Sequence, residues 1–389
     1  MKSAQIQHFD YIFTGTGLSA LMTVYKMILS GKFSDKSILL LDQDSKKSND
    51  RTWCFWEKEE SIWNLVISKK WDVALFANQE FKRDLALTPY QYNQIRGLDF
   101  YNFVFTAISK HPNITFKNEK VTDINELETH VFVGTEENRF TCNYLFNSIY
   151  NKAFAENQTQ YPVLKQHFVG WFVKTEATVF KSDEVTFMDF SVEQRGNTRF
   201  MYVLPTSKTE ALVEYTLFSE NLLPKEEYEN EIKVYLKKLG AVECQIVEKE
   251  EGSIPMTCFP FWKRNTQRVL NIGTAGGWTK ASTGYTFKNS DKKSTELIEF
   301  LQQNDSTSLN MKLFYKKSRF WFYDLLLLDI LYRSNELGSA IFSSLFKKGN
   351  PQLIFKFLDE ETTLIEDLRV ILKCPKGPFI KALFRRIFL

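Results

Sequence analysis

The chain has 389 residues, 43% of them hydrophobic and 25% charged, a balance that excludes a disordered or collagen-like polypeptide. Its net charge of +3 provides no field that would favour nucleic acid, and its length predicts two domains rather than one core. Aromatic residues reach 15%, with 35 Phe, whereas Gly occurs only 16 times, so the positions of the glycines carry information.

Residues 8–14 (HFDYIFT) read as a short buried strand. Gly15-Thr16-Gly17-Leu18-Ser19-Ala20 follows, and Leu18, Leu21, Met22, Tyr25, Ile28 and Leu29 then recur at helical spacing up to a capping Gly31. A second strand, 37–42, ends in Asp42. This is a dinucleotide fingerprint in its GxGxxA form. Gly15 permits the tight turn, Gly17 lets the backbone approach a pyrophosphate, and Ala20 keeps helix and strand close. The helix N-terminus offers free N–H groups to phosphate, and Asp42 is placed to accept from ribose hydroxyls. A purely structural strand–turn–helix is the alternative, and the fingerprint alone does not separate NAD from FAD.

Four alternating strands are predicted at 168–175, 184–190, 199–204 and 210–217, followed by a charged helix at 225–239. A second glycine turn comes late: strand 268–272, then Gly273-Thr274-Ala275-Gly276-Gly277, then a helix at 282–301. A late strand–glycine–helix unit is how a flavin-binding domain returns to its cofactor, so this turn favours FAD over an ordinary loop. From residue 309 the chain turns helical and aromatic. The expected organisation is a nucleotide-binding unit at 8–161 and 261–308, an interrupting sheet at 162–260, and a helical region at 309–389.

The run Asn49-Asp50-Arg51-Thr52-Trp53-Cys54-Phe55-Trp56 is uncommon wording. With IRGLDF at 95–100, FMDF at 187–190, LVEYT at 212–216, GSIPM at 252–256 and GTAGGWTKASTGYTF at 273–287, it closely resembles the lycopene cyclase family of carotenoid-forming flavoproteins. The matches keep their order over about residues 8–290. The resemblance implies a mixed α/β fold: a Rossmann-like FAD-binding domain interrupted by a β-sheet substrate domain, as in aromatic-hydroxylase-type flavoproteins, with a helical C-terminal region. It also implies reduced FAD as cofactor, NAD(P)H as its reductant, and lycopene or a related ψ-end carotenoid as substrate. The implied reaction is an isomerisation that closes ψ-ends into β-ionone rings without net redox change.

Such a cyclisation needs a strong, well-placed acid, because an isolated alkene is a very poor base. Glu214 lies where the family's essential glutamate motif falls, and strand alternation points it away from Val213 and Tyr215. An apolar cavity would raise its pKa and keep it protonated near neutral pH; a solvent-facing strand carboxylate is the alternative. Asp189 is a second carboxylate that would assist, or else a turn-capping residue. Arg51 is expected to contact the cofactor or to fix its own loop, alongside Gly273, Thr274, Gly276 and Gly277. Trp53, Phe55 and Trp56 are expected to line the substrate cavity, where aromatic faces stabilise a cation. The flavin itself, rather than Glu214, is an open alternative as the proton carrier.

No apolar run long enough to span a bilayer is present; the nearest, 320–332, contains Asp324 and Asp329. Residues 319–333 are nonetheless strongly apolar, and 378–389 place Phe379, Ile380, Leu383, Phe384 and Ile387 on one helical face beside basic residues. A basic amphipathic helix suits an anionic membrane surface, so peripheral attachment at the cytoplasmic face stands against packing on the core. The opening residues resemble no signal peptide. Five scattered Cys and four dispersed His give no disulfide framework and no metal-ligand spacing, so no metal is expected and a reducing compartment fits. Two rivals stay open: an FAD-dependent monooxygenase or dehydrogenase of a hydrophobic substrate, and a non-catalytic flavin- or carotenoid-binding membrane protein. The Thr274 that follows Gly273, where hydroxylases carry Asp, favours the cyclase.

Overall fold

Strand Gln7–Thr14 lies inside a seven-stranded sheet, with Ile38–Asp42 and Ile114–Asn118 parallel on one side. Arg139–Asn147 and then Val269–Asn271 continue it in parallel on the other side, and Val131–Thr135 and Val121–Glu126 finish it antiparallel. The computed structural model describes residues 6–241, 243–304 and 309–388; residue 308, an expected boundary, and Leu389, the end of the expected last helix, lie outside the described residues. The strands read as continuous apolar runs because both faces are covered. Phe13 and Leu40 pack toward the helices, while Ile12, Leu39 and Leu41 join Val131, Val133 and Phe140 beneath.

Helix Leu18–Ser30 and helix Phe287–Gln303 lie side by side through small hydroxyl residues. Ser19 meets Ser290 at 2.7 Å and Thr23 meets Ser294 at 3.0 Å, all four buried. The second of these helices starts at 287, not at 282 as its composition suggests. Gly284, with φ of 72°, turns the chain, and the side chain of Lys280 is held by Asp324 and Glu360, so residues 279–286 form a pinned loop.

A second seven-stranded sheet runs in the order Cys244–Thr257, Val163–Thr175, Glu210–Ser219, Thr198–Pro205, Glu184–Asp189, Val73–Ala77 and Lys82–Ala86. The last two strands come from the stretch 8–161, which therefore does not stay with one sheet. Ala74 and Phe76 are fully buried there, in the same core as Phe190 and Phe346, and Val73–Ala77 pairs in parallel with Glu184–Asp189. One face of this sheet packs on helix Lys225–Lys238 through Val213, Tyr215, Leu217, Ile232 and Tyr235. A three-stranded sheet of Thr52–Glu57, Gln91–Arg96 and Lys69–Trp71 is the third.

The C-terminal helices cover the other face of the second sheet. Leu325, Leu328, Phe342, Phe346 and Phe355 share one core with Phe76, Phe187, Phe200 and Phe218. The apolar stretch Arg319–Arg333 is thus largely core-facing rather than available to a bilayer. Its two acids are matched by cations: Asp324 pairs with Lys280, and Asp329 with Arg385 at 2.6 Å and Arg386 at 2.9 Å. Those ion pairs fasten helix Lys376–Phe388 to the body, while Ile380, Phe384, Ile387 and Phe388 on it remain exposed. Among the described residues, no helix is long and apolar enough to cross a membrane.

Candidate functional site

A cavity of about 470 Å³ is bordered by Gly17 and Gly273 from the first sheet and by Glu214 from the second. Both glycine turns follow the carboxyl ends of parallel strands, where α/β sheets place their ligands. Gly15 has φ of 79° and Gly273 of 59°, conformations that side-chain-bearing residues rarely adopt. Beside Gly17 nothing stands within 4 Å of where a β-carbon would sit, so the backbone is open to a close-lying group. The start of helix Leu18–Ser30 makes no side-chain capping bond there. Open space and free helix N–H groups fit a dinucleotide phosphate.

The remaining expected cofactor residues divide. Arg51 and Thr274 border the cavity; Arg51 also donates from Nη1 to the carbonyl of Asp50 at 2.8 Å. Ala20 is buried between helix and sheet. Gly276 and Gly277 close their turn onto the carbonyls of Ile272 and Thr274 and do not border the cavity. Asp42 turns inward: its Oδ2 accepts from the Thr16 amide at 2.6 Å and the Thr16 hydroxyl at 2.9 Å, and its Oδ1 from the Asp44 amide. It closes the glycine turn, and both of its oxygens have internal partners.

Glu214 lies on strand Glu210–Ser219, whose alternation sends Leu212, Glu214 and Phe218 into the cavity. It is 7% exposed. Burial, reinforced by the charge of Glu250, pushes its pKa up to about 8, while a hydroxyl donated by Thr216 at 2.6 Å opposes the shift. Among the described residues no cation pairs with it. A carboxyl group in these surroundings is a neutral acid at pH 7, able to give a proton to an apolar guest.

Around Glu214 the walls are aromatic: Phe187, Phe200, Tyr202 and Phe342 among them. Trp53 also borders the cavity. Phe55 and Trp56 do not. Phe55, on the same strand face as Trp53 but farther along, stacks on Phe287 at 4.3 Å, and Trp56, on the opposite face, stacks on Phe355 at 4.7 Å beneath the C-terminal helices. Asp189 is also away from the cavity, accepting from the Tyr235 hydroxyl and the Ser191 amide, both at 2.8 Å. It is a buried turn-capping carboxylate.

Residues the sequence reading did not single out complete the site. The hydroxyls of Tyr92 and Tyr202 lie 2.7 Å apart and those of Tyr92 and Tyr285 3.3 Å, and burial raises all three phenols. Glu250 brings a second carboxylate to the cavity wall. Its one local signal was the alternation of Glu248 and Glu250, two acids on one face of a strand. Among the described residues, no group of acidic, His or Cys side chains is arranged to hold a metal ion.

A family model described as lycopene cyclase protein matches residues 10–384. No curated protein sequence matches the chain. Solved structures share the fold at low identity. A geranylgeranyl bacteriochlorophyll reductase-like protein from Thermoplasma acidophilum is 10% identical with a TM-score of 0.61, covering 98% of this chain and 100% of its own. A p-nitrophenol 4-monooxygenase from Pseudomonas putida is 11% identical with a TM-score of 0.57, over 94% of this chain and 98% of its own. A halogenase solved with phloroglucinol and FAD is 14% identical with a TM-score of 0.61, over 93% of this chain and 83% of its own. The mixed α/β architecture is therefore shared with a reductase-like protein, a monooxygenase and a halogenase, the last of them solved with FAD.

Proposed function

The chain belongs to the lycopene cyclase family, and from that premise we propose that it is an FAD-dependent isomerase that closes the ψ-ends of lycopene, or a related carotenoid, into β-ionone rings. The observation that carries this reading is Glu214: a buried carboxyl group in an aromatic cavity, its pKa pushed up to about 8, with no cation paired to it among the described residues. Its proton passes to the chain-end alkene and leaves a tertiary cation, which the neighbouring alkene captures to close the ring. Phe187, Phe200 and Tyr202 keep water from that cation and offer it their π-faces, each worth about 0.5–2 kcal/mol.

Gly15, Gly17, Arg51, Gly273 and Thr274 are the residues that would hold FAD at the opposite end of the cavity. Reduced FAD, kept in that state by NAD(P)H, supplies an electron-rich ring system that favours a nearby positive charge. Docking at the cytoplasmic face of a membrane would deliver the substrate. It is supported by the exposed Ile380, Phe384 and Ile387 beside Lys376, Lys381 and the neighbouring basic residues.

Expression in a lycopene-accumulating bacterial host tests the reading. A red-to-orange change with an isomer of lycopene as product is expected from the wild type, and none from Glu214→Gln. A product heavier by one oxygen, or changed by two hydrogens, would replace the cyclase by a redox enzyme.

A further inference from the structure

Cyclisation adds one proton and removes another from a different carbon, so a cyclase needs a base as well as an acid. Resting on the cyclase reading, the second sheet supplies a candidate. Strand Val163–Thr175 runs between Glu210–Ser219 and Cys244–Thr257, and its Gly170 is paired with Glu214 on one side and Glu250 on the other. Both carboxylate side chains rise from the face on which Gly170 lacks one. A β-carbon built there would stand 3.5 Å from Cβ of Glu214 and 3.4 Å from Cγ of Glu250. It would also sit 2.8 Å from Cδ1 of Leu212, so a side chain there would have to displace Leu212. The two glutamates are thus set two strand spacings apart, about 10 Å at the backbone, and both border the cavity.

Their surroundings differ in the way an acid and a base require. Facing Glu214 are Thr216 from its own strand, Tyr202 from Thr198–Pro205, Cys54 from Thr52–Glu57, Tyr285 from the pinned loop, and Glu250 itself. None of these is a cation. Facing Glu250 are Thr52, which donates its hydroxyl at 2.6 Å, the cations Arg96 and Arg51, and Glu248, whose charge Arg96 meets at 2.7 Å. Burial raises the pKa of Glu250, but the Thr52 hydroxyl and both arginines act against it.

We propose that Glu250 is the base of the cyclisation, taking the ring proton within the shared cavity after Glu214, across Gly170 from it, has supplied the chain-end proton. The O–H bond of Glu214 breaks as the π pair of the chain-end alkene forms a new C–H bond. The π pair of the next alkene forms the ring C–C bond and moves the positive charge into the ring. A ring C–H bond then breaks, its electron pair becomes the ring double bond, and its proton passes to a carboxylate oxygen of Glu250. No electron is gained or lost, and transfer of that proton back to Glu214 through water resets the pair.

The test uses the full chain with reduced FAD and lycopene in liposomes, comparing wild type, Glu250→Gln, Glu250→Asp and Glu214→Gln. For Glu250→Gln, kcat is expected to fall about 10²–10⁴-fold with KM and flavin binding unchanged. The acidic limb of its kcat/KM profile should disappear. Its residual product should carry the ring double bond at a different carbon, read by NMR, because the cation loses its proton elsewhere. Glu250→Asp should restore part of the rate and the β-position. A merely structural role for Glu250 would lower the urea midpoint without moving the double bond or the limb. Wild-type kcat, limb and product in Glu250→Gln would overturn the assignment and leave the cyclase reading standing. Failure of the wild type to cyclise lycopene would remove both. Should Glu250→Gln not fold, the acidic limb and double-bond position in Glu250→Asp decide: an unaltered limb with wild-type kcat overturns the assignment, and a shifted limb with reduced kcat supports it.

Discussion

Replacing Lys280 by Met removes the cation that sits between Asp324, at 3.1 Å, and Glu360, at 3.2 Å. At 3.1 Å and an effective dielectric constant of about 20, one such pair attracts by about 5 kcal/mol before any desolvation cost. Glu360 is 29% exposed and regains water when the lysine goes; Asp324, at 10%, does not. The buried carboxylate left behind is what destabilises, and breaking a pair of this kind costs about 3–5 kcal/mol. Urea unfolding at pH 7 is the assay. Lys280→Met should lose about that amount, whereas Lys280→Met with Asp324→Leu should recover most of it, because no buried charge is then unmatched. The pH dependence follows from the sign of the shift. Burial already raises the pKa of Asp324 and Lys280 lowers it; without the lysine the folded pKa lies further above the unfolded one. Folded protein then holds a proton that unfolded protein releases, so the loss should be small below the unfolded pKa, near 4, and grow as pH rises toward the folded value. A single variant within about 0.5 kcal/mol of wild type, or a double variant as unstable as the sum of its parts, would refute the reasoning.

Glu214 gives a second pH signature. Its pKa of about 8 lies above the ordinary 4.5, so its stability contribution is largest below 4.5 and declines as pH rises to about 8. Glu214→Gln should flatten that part of the stability profile, and in the wild type kcat/KM should fall on the basic side near pH 8 as the acid ionises. Asp189→Ala strips Tyr235 and the Ser191 amide of their acceptor, which should cost about 1–3 kcal/mol in urea unfolding while leaving KM for the carotenoid unchanged. For membrane docking, Ile380, Phe384 and Ile387 are 50%, 59% and 59% exposed, so changing all three to Ser should leave the melting temperature in place and reduce co-sedimentation with anionic liposomes. Deleting residues 378–389 is a poorer probe, since it would also remove Arg385 and Arg386 from the buried Asp329.

What could be read along the chain was whatever depends on neighbours in sequence. The strand–Gly15–helix unit, its end at Gly31 and the face of Glu214 all follow from local period and turn chemistry, and the structure has them so. Strand pairing between distant segments left no such trace. Glu250 meets Gly170 only through the register of two antiparallel strands, and Val73–Ala77 joins the second sheet by pairing with Glu184–Asp189. The aromatic run 53–56 was legible as a motif but not as a surface. Phe55, although on the face of Trp53, is taken up by the ring of Phe287, and Trp56 met a helix from the last forty residues. Helix composition alone could not locate the start at 287, because what holds 279–286 out of the helix is Lys280 reaching acids far along the chain.

The hydroxyl seam between helices Leu18–Ser30 and Phe287–Gln303 bears on how the chain is made. Ser19, Thr23 and Lys26 find Ser290, Ser294 and Asp291 only across a separation of some 270 residues. During synthesis the first helix therefore emerges with a polar stripe that has no partner, and the parallel sheet beside it lacks Val269–Asn271. Neither gap closes until residues 269–294 have been translated. The N-terminal unit therefore completes its packing only when the segment that follows the second sheet returns to it.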